Sequence, residues 1–262
     1  MRRFIAVLLL VFVAQSTVDA FTVTSRSFYS RNSVRMASYD KVFVAGGSKG
    51  VGREIIDKLV NRGKTVVAIV KREDAFEELN SIEGVTALMV DAFDLKGVEG
   101  AIDGCDACIS TLGKNQFNEE EEGPLKRVDY VGNRNVIESA GILGVTRIIL
   151  VTSVGCGDSK GAISEEVYQT LEAALVSKTK AEDMLQKYYT NSDWTIVRPG
   201  GLKTAPMTGA AVFTEDKSVP GMIHREDVAE LVVEALEKKS TFKKVLTALD
   251  PTIQFGEPKP FE

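Results

Sequence analysis

A chain of 262 residues, 44% hydrophobic and 26% charged, has the make-up of an ordinary soluble globular protein with room for one large domain or two small ones. The formal net charge is only -5 and acids and bases are interleaved, so no basic stripe marks nucleic acid as a partner. Three cysteines cannot build a disulfide framework, and Cys105 and Cys108 lack the second CxxC or nearby histidine of a zinc set, so no metal is expected.

The chain begins with Met1-Arg2-Arg3, an almost uninterrupted apolar run from Phe4 to Ala14, and the small-residue ending Val18-Asp19-Ala20. The run is too short to span a bilayer comfortably, so residues 1–20 read as a cleaved signal peptide. Residues 21–39 carry Arg26, Arg31 and Arg35 among many Ser and Thr and no acid, the composition of an organelle transit peptide. A signal peptide followed at once by such a segment, with Phe21 at the join, resembles the bipartite plastid presequence of algae whose plastids arose by secondary endosymbiosis. The resemblance implies the plastid stroma, with secretion and the mitochondrion as alternatives, and a soluble mature form that does not span a membrane.

From Asp40 to Leu249 apolar strands alternate with helices. Strands are predicted at Val42–Ala45, Thr65–Val70, Thr86–Val90, Ala107–Thr111, Ile148–Val151 and Trp194–Val197. Helices are predicted at Val51–Leu59, from Pro124 to Ser139 ending before Gly141, at Ser177–Tyr188 and at Asp227–Glu237. Near-continuous apolar strands between helices mean a parallel sheet covered on both faces, an α/β fold of three-layer, doubly wound Rossmann type. It forms a single domain, residues 40–249, with a small C-terminal substrate-side region. Gly201 to Met222 is expected to form a substrate lid, and residues 250–262 read as a polar tail. Glu119 to Glu122 read as a solvated acidic loop.

Gly46-Gly47-Ser48-Lys49-Gly50-Val51-Gly52 directly follows the first strand and opens the first helix, the context in which a glycine loop means dinucleotide binding. Gly46 and Gly50 leave room for a pyrophosphate, and Gly52 lets the helix approach the sheet. The second strand ends in Lys71-Arg72, where NAD-preferring enzymes usually offer an acid; a cationic fork there suits the 2′-phosphate, so NADPH is expected over NADH. Lys49 is a further candidate for that phosphate. Ligands lie at the carboxyl ends of parallel strands, which assigns Asp91 and Ala92 to the adenine border, and Thr111, Leu112 and Gly113 to the adenine-side ribose. By the same rule Ser153 follows strand five, and Arg198, Pro199, Gly200 and Gly201 flank the nicotinamide.

Together with Val128-Asp129-Tyr130-x-x-Asn133, Asn135, Ser177-Lys178-x-x-Ala181-Glu182 and Arg225-x-Asp227-Val228-Ala229, these residues resemble the atypical short-chain dehydrogenase/reductases. The group includes NAD(P)H-binding proteins related to biliverdin reductase B/flavin reductase and NADPH-linked plastid proteins. The resemblance implies that Ser153 and Lys178 are the catalytic serine and lysine, both also touching cofactor. The family's tyrosine position falls on Ala174, which cannot donate a proton. Tyr168 is wrongly spaced to replace it and is expected to pack or line the pocket mouth.

Three functions fit this pattern. One is NADPH-dependent reduction of a flavin, quinone or tetrapyrrole-like acceptor, whose proton can come from solvent. Another is NADPH binding without turnover, in assembly or redox sensing of a plastid protein complex. The third is reduction or isomerisation of another small metabolite such as an isoprenoid. His224, the sole histidine, is expected at a helix start or the surface, and Asp227 as a structural hydrogen-bonder. Nothing adjacent to Cys156 forces its thiol pKa down.

Overall fold

Valines 42 and 44 of the first strand face one layer of helices while Phe43 and Ala45 face the other, and this alternation organises the domain. The computed structural model describes residues 39–114 and 123–253; the segments expected as signal and transit peptide, the acidic run Glu119 to Glu122 expected as a loop, and residues 254–262 lie outside the described residues. The elements run β1 (Lys41–Ala45), α1 (Gly50–Asn61), β2 (Thr65–Val70), α2 (Glu73–Asn80), β3 (Val85–Met89), α3 (Leu95–Ile102) and β4 (Ala107–Ser110). After a 3-10 turn at Pro124–Lys126 come α4 (Val128–Ile142), β5 (Arg147–Val151), α5 (Glu165–Tyr188) and β6 (Asp193–Pro199). The chain continues through β7 (Gly201–Lys203), β8 (Val212–Thr214), β9 (Met222–His224), α6 (Arg225–Glu237) and β10 (Lys244–Leu249).

The main sheet has the order β3-β2-β1-β4-β5-β6-β10-β8, and all its pairs are parallel except β10 with β8. The doubly wound Rossmann architecture is as the strand–helix alternation implies, with one antiparallel strand added at the edge. Helices α1, α2 and α6 cover one face and α3, α4 and α5 the other. Strand order reverses between β1 and β4, so the carboxyl ends of those strands open a crevice.

The structure corrects several sequence expectations. The predicted helix from Pro124 is a 3-10 turn broken at Arg127, whose extended backbone (φ -80°, ψ 150°) restarts the chain as α4. That helix also runs through Gly141, because the ring of Tyr189 packs where a Cβ would stand, 2.2 Å from it. Helix α5 starts at Glu165, twelve residues before Ser177, with the Ser164 hydroxyl accepting the Val167 N–H as its cap. Tyr39 is 6% exposed and joins the core, and Asp250 is buried against Thr208 and Thr252, so both belong to the fold rather than to the flanking segments. The lid segment is partly a two-stranded parallel sheet, β7 with β9, while β8 joins the main sheet. No described helix is long and apolar enough to cross a membrane.

Candidate functional site

The first turn of α1 meets the end of β4 at close quarters. Gly46 has φ +88° and a Cβ there would lie 2.6 Å from Thr111 Oγ1; one on Gly52 would lie 2.2 Å from the Gly46 carbonyl oxygen. Thr111 in turn pins the loop, its N–H and hydroxyl both donating to the Ala45 carbonyl at 2.9 and 3.0 Å. Helix α1 has no side-chain cap and no acid in its first turn, whereas α2, α4, α5 and α6 each carry one there and α3 is capped by Asp94. The N–H groups and positive end of α1 are therefore left for an anion from outside the chain, as a dinucleotide pyrophosphate requires.

A cavity of about 2040 Å³ extends from this loop across the strand ends. One small-molecule site takes roughly 300–1,000 Å³, so there is room for a dinucleotide and a second molecule. Each residue assigned by sequence to cofactor or chemistry lines it: Gly46, Ser48, Lys49, Gly50, Val51 and Gly52 in the loop; Lys71, Arg72, Asp91 and Ala92 after β2 and β3; Thr111, Leu112 and Gly113 after β4; Ser153, Lys178, Pro199 and Gly200 beyond. Of the flanking expectations, Arg198 is the exception. It is 3% exposed and turned beneath the strand ends, where it binds Glu182 Oε2 and Asp158 Oδ1, each at 2.6 Å. Thr152 donates to the same Glu182 at 2.6 Å, so Arg198 anchors β5, β6 and α5 rather than touching a ligand.

At the ends of β2 and β3, Lys71 pairs with Asp91 at 2.9 Å and Arg72 with the exposed Asp74. Burial opposes ionisation of Asp91, but the bonds from Lys71 and the Phe93 N–H outweigh it and hold the carboxyl below its ordinary range. Deeper in, Lys178 Nζ donates to the Leu112 carbonyl at 2.9 Å and lies 3.5 Å from Asp129, whose carboxylate also meets Arg127 at 3.3 Å. Ser153 borders the same space, its hydroxyl donating to the Val154 carbonyl at 2.9 Å. Ala174 lines the cavity one turn before Lys178. Tyr168 turns aside, with Lys160 over its ring at 3.9 Å from the centroid, while its neighbours Val167 and Leu171 line the cavity.

Sequence reasoning missed the apolar wall opposite the glycine loop: Ala162, Ile163, Val167, Leu171, Ala174 and Leu175. Positions 167, 171, 174, 175 and 178 recur at helical spacing, a signal that becomes visible once the helix is extended upstream of Ser177. Asp129 and Arg225 stood out in sequence only as motif members, yet both line the cavity. Other motif residues serve the frame. Asn133 accepts from Ser110 at 2.6 Å, Asn135 donates to the Ala92 carbonyl at 2.8 Å, and Asp227 accepts the N–H groups of Thr208 and Gly209. His224 caps no backbone group; its Nδ1 is 2.8 Å from the Pro206 carbonyl at the start of α6. Cys105, Cys108 and Cys156 are buried free thiols, and among the described residues no cluster of three His, Cys, Asp or Glu is arranged to hold a metal.

The NAD(P)H-binding family matches residues 46–239, a span that begins at the glycine loop and contains nearly all of this cavity. The chain belongs to that family. An uncharacterized chloroplastic protein of Arabidopsis thaliana is 35% identical over 90% of this chain and 88% of its own length. Sanguinarine reductase of Eschscholzia californica is 30% identical over 75% of this chain and 84% of its own. Among solved structures, ChuY, an anaerobillin reductase of Escherichia coli O157:H7, superposes with a TM-score of 0.73 at 30% identity, covering 82% of this chain and all of that one. The chain is thus related to NAD(P)H-binding oxidoreductases of the bilin- and flavin-reductase kind.

Proposed function

We propose that the protein is an NADPH-dependent reductase of a large planar acceptor, a flavin, quinone or tetrapyrrole-like ring, working in a plastid. The observation that carries this reading is the continuous cavity, which runs from an uncapped helix N-terminus to an apolar wall on α5. A bound nicotinamide would supply hydride. Lys178, held by Leu112 and Asp129, would grip the nicotinamide ribose, and Ser153 would donate a hydrogen bond to an acceptor heteroatom once its hydroxyl turns from the Val154 carbonyl. With Ala174 in the wall, the family's proton donor is missing, so the acceptor must take its proton from solvent; positioning does most of the work. The apolar residues of α5 offer a flat ring a dry face. The relatives named as reductases support hydride transfer, and the chloroplastic relative and the transit-like segment support the plastid.

The test is a fluorescence titration with NADPH and NADH, followed in the same cuvette by FMN, a benzoquinone and a linear tetrapyrrole. Tighter NADPH binding with loss of nicotinamide absorbance on adding one acceptor is the expected result. NADPH binding with no oxidation by any of the three would overturn the reductase and leave a binding protein.

A further inference from the structure

The first turn of α6 holds the substrate-side segment almost residue by residue. His224 Nδ1 meets the Pro206 carbonyl at 2.8 Å, Arg225 Nη1 donates to Thr204 Oγ1 at 2.7 Å, Glu226 accepts the Met207 N–H at 3.0 Å, and Asp227 accepts those of Thr208 and Gly209. Arg225 alone of the four also reaches the glycine loop. A Cβ on Gly50, which has φ +61° and begins α1, would lie 3.8 Å from both Cδ and Nε of Arg225.

Arg225 also shares with Lys49 of the glycine loop the lack of a carboxylate partner among the described residues of the cavity wall. Lys71, Arg72 and Lys178 each face a carboxylate of the chain, at Asp91, Asp74 and Asp129. Among the described residues Arg225 faces none, and its Nε and Nη2 carry no hydrogen bond. A half-buried guanidinium with unused donors, set beside an uncapped helix N-terminus, is completed by an anion that both can reach.

We propose that Arg225 binds the dinucleotide's pyrophosphate from the side opposite the glycine loop, and so ties the segment 201–209 to the bound cofactor. The proposal rests on the NADPH reading above and deepens it. Cofactor would enter first and draw the β7 segment against itself, which builds the substrate end of the cavity. Acceptor would then enter a site that is complete only with cofactor in place.

The experiment compares the full chain with Arg225→Met, Arg225→Lys and Thr204→Val. Fluorescence titration measures NADPH affinity, competition measures 2′-AMP, which has the adenine end but no pyrophosphate, and hydrogen–deuterium exchange follows residues 201–209. R225M should weaken NADPH about tenfold or more, the worth of one lost charge-assisted contact, and leave 2′-AMP unchanged. R225K should recover part of that loss. In the parent, NADPH should slow exchange in 201–209; in R225M it should not. T204V keeps the cation but removes the shorter of its two bonds to the segment, leaving only the one to the Leu202 carbonyl at 3.5 Å, so it should lose much of the protection while keeping most of the affinity. Unchanged NADPH affinity in R225M overturns the proposal, and so does equal weakening of 2′-AMP, which would assign the guanidinium to the 2′-phosphate or to the fold. If the parent protein binds neither dinucleotide, the cofactor reading itself falls and this proposal with it.

Discussion

Gly113 and Lys178 are fitted to one another: a Cβ on Gly113 would stand 2.8 Å from the Lys178 ammonium and 3.1 Å from Asp129 Oδ1. The first atom it meets is the far end of a flexible side chain, so Gly113→Ala should cost the fold less than about 1 kcal/mol by displacing the ammonium instead of the backbone. Lys178 would lose its bond to Leu112 and the seat from which it is proposed to hold the cofactor. The expected result is a roughly tenfold fall in kcat/KM for NADPH oxidation, about 1.4 kcal/mol, with a nearly unchanged melting temperature. Steady-state kinetics beside a thermal melt checks both parts.

Beneath the site, Arg198 and Glu182 form a buried pair, 3% and 1% exposed at their side chains, with Glu182 also accepting from Thr152. Removing Glu182 leaves the buried Arg198 with only the exposed Asp158 as counter-charge and Thr152 without its acceptor. Glu182→Ala should therefore cost about 3–5 kcal/mol, and Glu182→Gln less, because the amide keeps an acceptor for Arg198 and Thr152. Urea unfolding measures the difference. A cost within about 0.5 kcal/mol for E182A would show that Arg198 does not anchor β5, β6 and α5.

How much of this was legible in the residues follows from what each kind of signal carries. The strands of the sheet centre are runs of apolar residues buried on both faces, and periodicity finds them. Helix α2 was missed because only Ala75 and Leu79 of its eight residues are buried, too few to show a stripe. Helix α3 was missed because Gly97 and Gly100 interrupt it; Gly97 is there because a Cβ would press on Asp94 and Val90. The cavity lining at the strand ends was readable because glycines directly after a first strand mark a close approach of backbone. Arg198 was misjudged for the opposite reason: a strand-end arginine looks the same in sequence whether it faces the crevice or turns inward to a glutamate sixteen residues away. The role proposed for Arg225 depends on its approach to Gly50 across the fold, which no local pattern records.

Acid should loosen the lower side of the same network. Burial opposes ionisation of Asp158, but its bonds from Arg198 and Lys217 prevail and hold its carboxyl below the usual range. A carboxyl depressed in the folded state stabilises fully above its unfolded pKa of about 3.9, and that stabilisation fades as pH falls through the folded value. Asp158→Asn should flatten the acid side of the stability curve below about pH 4 and change little at pH 7 beyond the loss of its two partly screened pairs, with Arg198 and Lys217. Chemical denaturation from pH 2 to 7 on both proteins gives the comparison.

Selection between NADPH and NADH should depend more on Arg72 than on Lys71. Lys71 is engaged by Asp91, which is also fastened to the Phe93 N–H, whereas Arg72 meets only Asp74, exposed and two residues away. A 2′-phosphate can draw Arg72 from that partner at small cost and grip it as a fork. Arg72→Ala should reduce the NADPH-over-NADH affinity ratio about tenfold, and Lys71→Ala by about half of that on a logarithmic scale. Equal titrations of both nucleotides on both variants decide it, and an unchanged ratio in R72A would move the 2′-phosphate elsewhere.

The three thiols should be silent in the folded protein. Burial pushes Cys105 up to about 11 and Cys156 up to about 12, the latter helped by the charge of Glu182, and it raises the fully enclosed Cys108 well above its ordinary value. The thiolate is the reactive form, so a thiol reagent at pH 7.5 should label none of them until the chain opens. In the unfolded state thiols ionise from about pH 8.5, while the folded ones hold their protons. The stabilisation from keeping them neutral is complete below that pH and is lost as pH rises toward the folded values, so stability should decline on the alkaline side. Labelling in rising urea should follow the global unfolding curve. Fast labelling of Cys156 without denaturant would mean that the β5–α5 connection opens on its own, and the base of the site would then not be the closed, buried layer on which the Arg198–Glu182 anchor depends.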